Sequence, residues 1–169
     1  YFVTITDDNG CSIIDSVNIS EPNVLTIADL DSSDVSCNGF QDGFAAVVPT
    51  GGTAPYSYRW SDNQTTDTAF NLTAGTYTIT VTDINNCPIS DDILVNQPTL
   101  LTNTMTVQSN VSCNGLSDAV AFASPNGGTQ PYFFSWSDLQ SSDTARGLAA
   151  NKYFVTITDD NGCSIIDSV

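Results

Sequence analysis

Histidine is absent from these 169 residues and Lys plus Arg number three, so the side chains that most often act as general bases and transition-metal ligands are nearly missing. A Cys nucleophile wants a neighbouring His or cation, and a carboxylate pair would have to be drawn from turn aspartates. The expectation is a protein that is not an enzyme. Against three basic residues stand 19 acidic ones, a formal charge of -16, which argues against nucleic acid or anionic lipid as a partner. All but one of the acids are Asp, a poor helix former, and no stretch has convincing helical periodicity. There is no signal peptide and no apolar run of about 18 residues, so no direct membrane insertion is expected.

What is present is a repeat. Tyr1–Val17, YFVTITDDNGCSIIDSV, returns letter for letter at Tyr153–Val169 and more loosely at Tyr77–Ile93. Tyr1, Tyr77 and Tyr153 are 76 residues apart, and so are Cys11, Cys87 and Cys163, which defines a unit of about 76 residues. The expected division is the C-terminal hairpin of a preceding repeat at 1–21, one repeat at 22–97 and a second, cut short, at 98–169. A unit this small buries only about 60% of its unfolded surface and usually leans on disulfides, metals or neighbours. Five cysteines at recurring positions, with abundant Thr, Ser and Asn, point to an oxidising, extracellular setting.

Within the recurring stretch Tyr1, Val3 and Ile5 alternate with Phe2, Thr4 and Thr6, the period of a half-buried strand. Asp8, Asn9 and Gly10 predict a hairpin turn of type I′, and Cys11, Ile13, Val17 and Ile19 form the buried side of the return strand. In the first repeat, Val24–Leu30 and Asp34–Cys37 read as one strand interrupted at Asp31–Ser33. Phe44–Pro49, Tyr56–Trp60 and Thr66–Leu72 read as further strands. Leu72, Ala74, Gly75 and Tyr77 resemble the tyrosine corner of immunoglobulin-like sandwiches. The predicted fold is all-β: tandem immunoglobulin- or PKD-like sandwiches, without the usual disulfide between sheets. Tyr56, Trp60 and Tyr77, with Tyr132, Trp136 and Tyr153, are the expected structural core. A sugar-stacking platform built on Tyr56, Trp60, Tyr132 and Trp136 is the less favoured use of those rings. Phe2, Phe133 and Phe154 lie off the core parity and are candidates for lateral or interunit contact.

A set of spaced motifs carries a family resemblance: Cys37-Asn-Gly, Asp42-Gly, Gly51-Gly-Thr-x-Pro-Tyr-x-Tyr-x-Trp-Ser, Leu72-x-Ala-Gly-x-Tyr, Val81-Thr-Asp-x-x-x-Cys and Gln97-Pro98. Together they resemble the SprB repeat of large surface adhesins in gliding Bacteroidetes. Ala119 and Asn151 depart from the pattern where the first repeat has Gly43 and Gly75. The resemblance implies type IX secretion, a location on the bacterial cell surface and a structural role in an adhesive or mobile filament, with gliding motility as its use. Expected partners are neighbouring repeats of the same chain, an unknown surface or glycan ligand, and laterally associated filaments. The competing function is a carbohydrate-binding or spacer module of a secreted polysaccharide-degrading enzyme.

Two disulfide schemes compete. Spacing suggests Cys37 with Cys87 and Cys113 with Cys163, inside each repeat. In an immunoglobulin-like sandwich, however, the first turn and the last hairpin lie at opposite ends, a strand of roughly 25 Å apart, whereas bonded Cα atoms lie within about 7 Å. End-to-end stacking brings Cys37 to Cys163 across the repeat junction instead. Asp42, Asp159 and Asp160 form a candidate calcium set at that junction, the one cofactor considered, against the reading that they cap turns. Ser16, Thr68, Thr144 and Ser168 stand in Asp-Ser/Thr-apolar triplets that match the O-glycosylation pattern the resemblance implies.

Overall fold

The computed structural model describes residues 1–169 and contains strands and turns only. Strands β1 (Phe2–Thr6) and β2 (Ser12–Ser16) form a hairpin that pairs with no other strand. All of its residues are exposed, because one hairpin has no second layer to cover its apolar side.

The first sandwich follows. Its strands are β3 (Thr26–Ser33), β4 (Gly43–Thr50), β5 (Ser57–Trp60), β6 (Thr68–Leu72), β7 (Gly75–Thr82) and β8 (Pro88–Val95). They assort into sheets of order β3-β4-β6 and β5-β7-β8, antiparallel throughout. This is the two-sheet division of an immunoglobulin-like sandwich. The second sandwich repeats it with β9 (Thr102–Ser109), β10 (Ser117–Asn126), β11 (Phe133–Trp136), β12 (Thr144–Ala149), β13 (Phe154–Thr158) and β14 (Ser164–Ser168). Its sheets are β9-β10-β12 and β11-β13-β14.

Alternation places the core. Ala45 and Val47 of β4, and Ile79 and Val81 of β7, point inward while their neighbours stay in part exposed. Ala45 pairs with Ala69 across β4 and β6, and these two small residues share the core with Trp60. The indole N–H of Trp60 donates to the Thr66 carbonyl at 2.8 Å, so burying the ring leaves no orphan donor. Trp136 repeats this with Ser142 at 2.8 Å. Tyr56, Tyr77, Tyr132 and Tyr153 pack at the margins of the two cores. The Tyr77 hydroxyl accepts from the Thr73 N–H and donates to the Thr73 carbonyl, both at 3.1 Å, four residues upstream.

Local details differ from the sequence reading. β3 runs unbroken through Asp31–Ser33, and its irregularity is a slip between Ile27 and Asp29. The hairpin turn is not type I′, since only Gly10 takes a positive φ, +82°, while Gly10 N–H donates to the Asp7 carbonyl. That is a type I turn followed by one left-handed residue, a geometry that Asn86 at +63° can also adopt. Asn151 fits in place of Gly75 because Gly75 has no left-handed φ and a Cβ there would meet only Tyr77, at 4.0 Å.

The antiparallel order sets which loops share an end. The β4–β5 loop meets the β7–β8 hairpin at one end of the first sandwich, while the β3–β4 turn and the exit from β8 lie at the other. Thr53 N–H to Asp83 at 3.0 Å and Val35 N–H to the Asn96 carbonyl at 3.1 Å mark these two meetings.

Candidate functional site

The junction is built from three short segments: the β3–β4 turn of the first sandwich, the linker after β8, and the β13–β14 hairpin of the second. Cys37 opens the turn Cys37-Asn38-Gly39-Phe40, closed by Phe40 N–H to the Cys37 carbonyl at 3.0 Å with Gly39 at φ +80°. A positive φ at the third position is what a type II turn demands. The turn is held from behind by Asp42, whose carboxylate accepts from both the N–H and the hydroxyl of Ser36. Those two bonds, the hydroxyl one first, hold the Asp42 carboxyl below its ordinary pKa.

Cys37 is bonded to Cys163, with Cα atoms 5.7 Å apart. Cys37 is buried, and Cys11, Cys87 and Cys113 are exposed thiols. The pairs Cys37–Cys87 and Cys113–Cys163 are absent, because first turn and last hairpin stand at opposite ends of each sandwich. Hydrogen bonds flank the disulfide. Asn38 Nδ2 donates to the Pro98 carbonyl at 3.0 Å, and Gly39 N–H donates to Gln97 Oε1 at 2.9 Å. From the second sandwich Asn161 Nδ2 donates to the Ser36 carbonyl at 2.9 Å and to Thr129 Oγ1 at 3.1 Å. Asn96 is tied back to Asp34 Oδ1 at 2.7 Å through its N–H. Phe40, Leu100, Leu101 and Ile165 line the shallow cleft beside the bond.

The hairpin that carries Cys163 is held by a buried carboxylate. Asp159, 1% exposed, accepts from Thr129 N–H at 2.8 Å and Cys163 N–H at 2.9 Å. Asp83 does the same in the first sandwich with Thr53, Asn85 and Cys87 at 3.0, 2.9 and 2.9 Å. Accepted backbone bonds, Cys87 foremost, lower the Asp83 pKa.

These bonds engage the carboxylates of Asp42 and Asp159 in the candidate calcium set. Asp42 is committed to Ser36, Asp159 to backbone donors, and Asp160 stays exposed with its N–H on the Thr129 carbonyl. Nowhere do three acidic or cysteine side chains converge. The carboxylates are spent locally, as turn aspartates commonly are.

The acceptor triplets have local structural roles as well. Thr68 and Thr144 are half-buried, with hydroxyls on Asp67 and Asp143 at 3.2 and 2.9 Å. Ser16 is exposed and Ser168 half-buried, and each donates its N–H to the preceding Asp at 2.7 Å. Trp60 and Trp136 are 1% and 2% exposed and offer no stacking face, while Phe2, Phe133 and Phe154 stand on the surface.

Asn161, Gln64 and Gln140 escaped the sequence reading, and Gln97, quoted there only within the Gln97-Pro98 motif, accepts from Gly39 at the junction. Gln64 bonds both the N–H and the carbonyl of Phe70, at 3.0 and 2.9 Å, and so stands in for a strand partner. Recurrence of Asp62-x-Gln64 at Asp138-x-Gln140 was the available signal.

The model of the SprB repeat family matches residues 30–65 and 105–141. No curated relative matches the chain. Among solved structures, the C-terminal 282-residue fragment of intimin, in complex with the intimin-binding domain of the translocated intimin receptor, is similar at a TM-score of 0.48 and 14% identity. The similarity covers 85% of this chain but 63% of that fragment. Two segments of the chain, one in each sandwich, are thus similar to the SprB repeat.

Proposed function

We propose that the chain is a non-catalytic, load-carrying segment in the shaft of a large adhesin filament on the bacterial cell surface, supporting attachment and gliding motility. Its partners on this reading are neighbouring repeats and an unidentified surface or glycan. The observation that carries the reading is the Cys37–Cys163 bond, whose ends are 126 residues apart in sequence. Tension applied at the two termini runs along β3, crosses that bond and leaves through β14. The 125 residues between the two cysteines bear none of it.

A shaft benefits from this arrangement because neither sandwich can lengthen the filament by unfolding while the bond holds. Released, those residues would add about 45 nm at roughly 3.6 Å per residue. The charge of -16 supports the same reading, since like-charged filaments stay soluble and apart. Single-molecule stretching between the termini tests it. The oxidised chain is expected to yield no extension of that size, and the reduced chain is expected to release it. Equal contour lengths in the two states would overturn the load-bypass reading. Live imaging with an antibody against these two repeats tests the cellular role: filaments extending from the cell support it, and label confined to the medium with bare cells would overturn it.

A further inference from the structure

Each sandwich has one side on which the end strands of its two sheets meet and one on which they do not. On the closed side the Ser32 hydroxyl of β3 donates to the Leu94 carbonyl of β8 at 3.3 Å, and Asn103 Nδ2 of β9 donates to Asp167 of β14 at 3.0 Å. On the other side β5 and β6, and likewise β11 and β12, end their sheets with no strand beyond them. An edge strand turns alternate N–H and C=O groups outward, and such a row is a template for pairing with any further strand.

One glutamine per sandwich occupies that side. Gln64 lies half-buried in the connection between β5 and β6. Its carbonyl accepts from Trp60 N–H of β5 at 2.9 Å. Its Oε1 accepts from Phe70 N–H of β6 at 3.0 Å, and its Nε2 donates to the Phe70 carbonyl at 2.9 Å. The second Nε2 hydrogen and the backbone N–H go to Asp62, at 2.7 and 3.1 Å. A side-chain amide has two donors on its nitrogen, so both are spent and the side chain has no freedom to turn away. The Thr66 hydroxyl adds a bond to the Thr68 carbonyl.

Gln140 repeats the whole set. Its carbonyl accepts from Trp136 N–H, its amide bonds both backbone groups of Arg146, and Asp138 holds it as Asp62 holds Gln64. Ser142 takes the place of Thr66, donating to the Thr144 carbonyl at 2.6 Å. The side chains along the edge change from Phe70 to Arg146, but the bonds read only the main chain and stay the same. The turn that aims the glutamine is also kept against residue type. Asn63 tolerates its φ of +74°, whereas Leu139 adopts +72° although a bulky residue is disfavoured there.

We infer that Gln64 and Gln140 are edge plugs, which deny the outward backbone groups of β6 and β12 to an added strand and so keep laterally adjacent molecules from pairing through their sheets. Each plug bonds an edge of both sheets, so one side chain closes the open side of a sandwich. With the plug removed, the Phe70 and Arg146 groups are free, and in a purified chain the strand that takes them is the same edge of another copy.

The test compares the whole chain with its Gln64→Met, Gln140→Met double variant, both with Cys37–Cys163 intact and the free thiols alkylated. Met keeps the length of the side chain and the backbone bonds of the residue but offers neither the donor nor the acceptor of the amide. Sedimentation velocity is run over a concentration series in about 0.5 M NaCl, which screens the repulsion between chains of charge -16. The parent is expected to stay monomeric and the variant to associate as concentration rises. Amide exchange locates the contact. In dilute variant the Phe70 and Arg146 N–H groups are expected to exchange at least about five-fold faster than in the parent, the factor for one hydrogen bond of about 1 kcal/mol, and to slow again on association. Gln64→Met alone, which leaves the second sandwich whole, gives the same reading for one edge where the double variant unfolds. A variant that stays monomeric throughout, associates while those two amides stay fast, or exchanges them as slowly as the parent when dilute would overturn the inference.

Discussion

Asn161, in the last hairpin of the second sandwich, donates its side-chain N–H to the carbonyl of Ser36, 125 residues earlier, at 2.9 Å. Ser36 precedes the bonded Cys37, and its own N–H and hydroxyl are taken by Asp42. The residue next to the disulfide is therefore gripped from both sandwiches at once. The junction is a folded contact that the covalent bond locks.

Loss of that grip is expected to loosen the bond. Asn161→Ala removes the Ser36 contact and the Thr129 contact together. At about 1 kcal/mol net for each hydrogen bond, the Cys37–Cys163 disulfide becomes roughly five- to thirty-fold easier to reduce at equilibrium. Thiol trapping across a series of glutathione buffers measures this, and an unchanged midpoint would show that the flanking contacts do not stabilise the bond.

Acid is expected to attack the turns first. Asp42, Asp83 and Asp118 all have folded pKa values below the ordinary 3.8, because backbone and Ser donors favour their charged forms. A depressed folded pKa contributes stability that is complete above the unfolded value and is lost as pH falls through the folded one. Melting temperature should thus fall only below about pH 4. Acidification also relieves the repulsion of a chain at -16, so the comparison to make is with Asp83→Asn. That variant should melt lower at pH 7 and lose less on acidification; parallel curves would contradict the assignment.

Two glycines of the same type are expected to differ sharply. A Cβ on Gly51 would overlap the Val24 carbonyl, and one on Gly127 the Leu100 carbonyl, both at left-handed φ. At Gly10, φ is +82° but no atom lies within 4 Å. Gly10→Ala should therefore cost no more than the left-handed penalty of about 1–2 kcal/mol. Gly51→Ala adds a backbone collision and is expected to cost more than about 3 kcal/mol. Urea denaturation of the two variants checks the ranking.

Tyr77→Phe keeps the ring at the core margin but deletes the hydroxyl shared with Thr73. An expected loss of about 1–2 kcal/mol follows for the first sandwich. Phe133→Ser, which restores the type found at Ser57 on an exposed position, should stay within about 0.5 kcal/mol of the parent. Equal destabilisation by the two would mean that the corner hydroxyl has no special role.

Much of this molecule is written locally. The alternation around Ile79 and Val81, the buried Trp60 and Trp136, and the corner at Tyr77 depend on strand periodicity and on packing within one unit, which a sequence displays directly. What the sequence by itself determined was an all-β chain of recurring units that resemble the SprB repeat, with Trp60 and Trp136 inside. The tertiary structure alone decided what the aspartates and cysteines do. Asp159 meets Thr129 across 30 residues and Cys37 meets Cys163 across 126, so each partner is chosen by which loops share an end of a sandwich. An Asp in a turn has the same composition whether it binds a cation or a backbone N–H. Only the position of the donors settles the choice, and that position is a property of the folded chain.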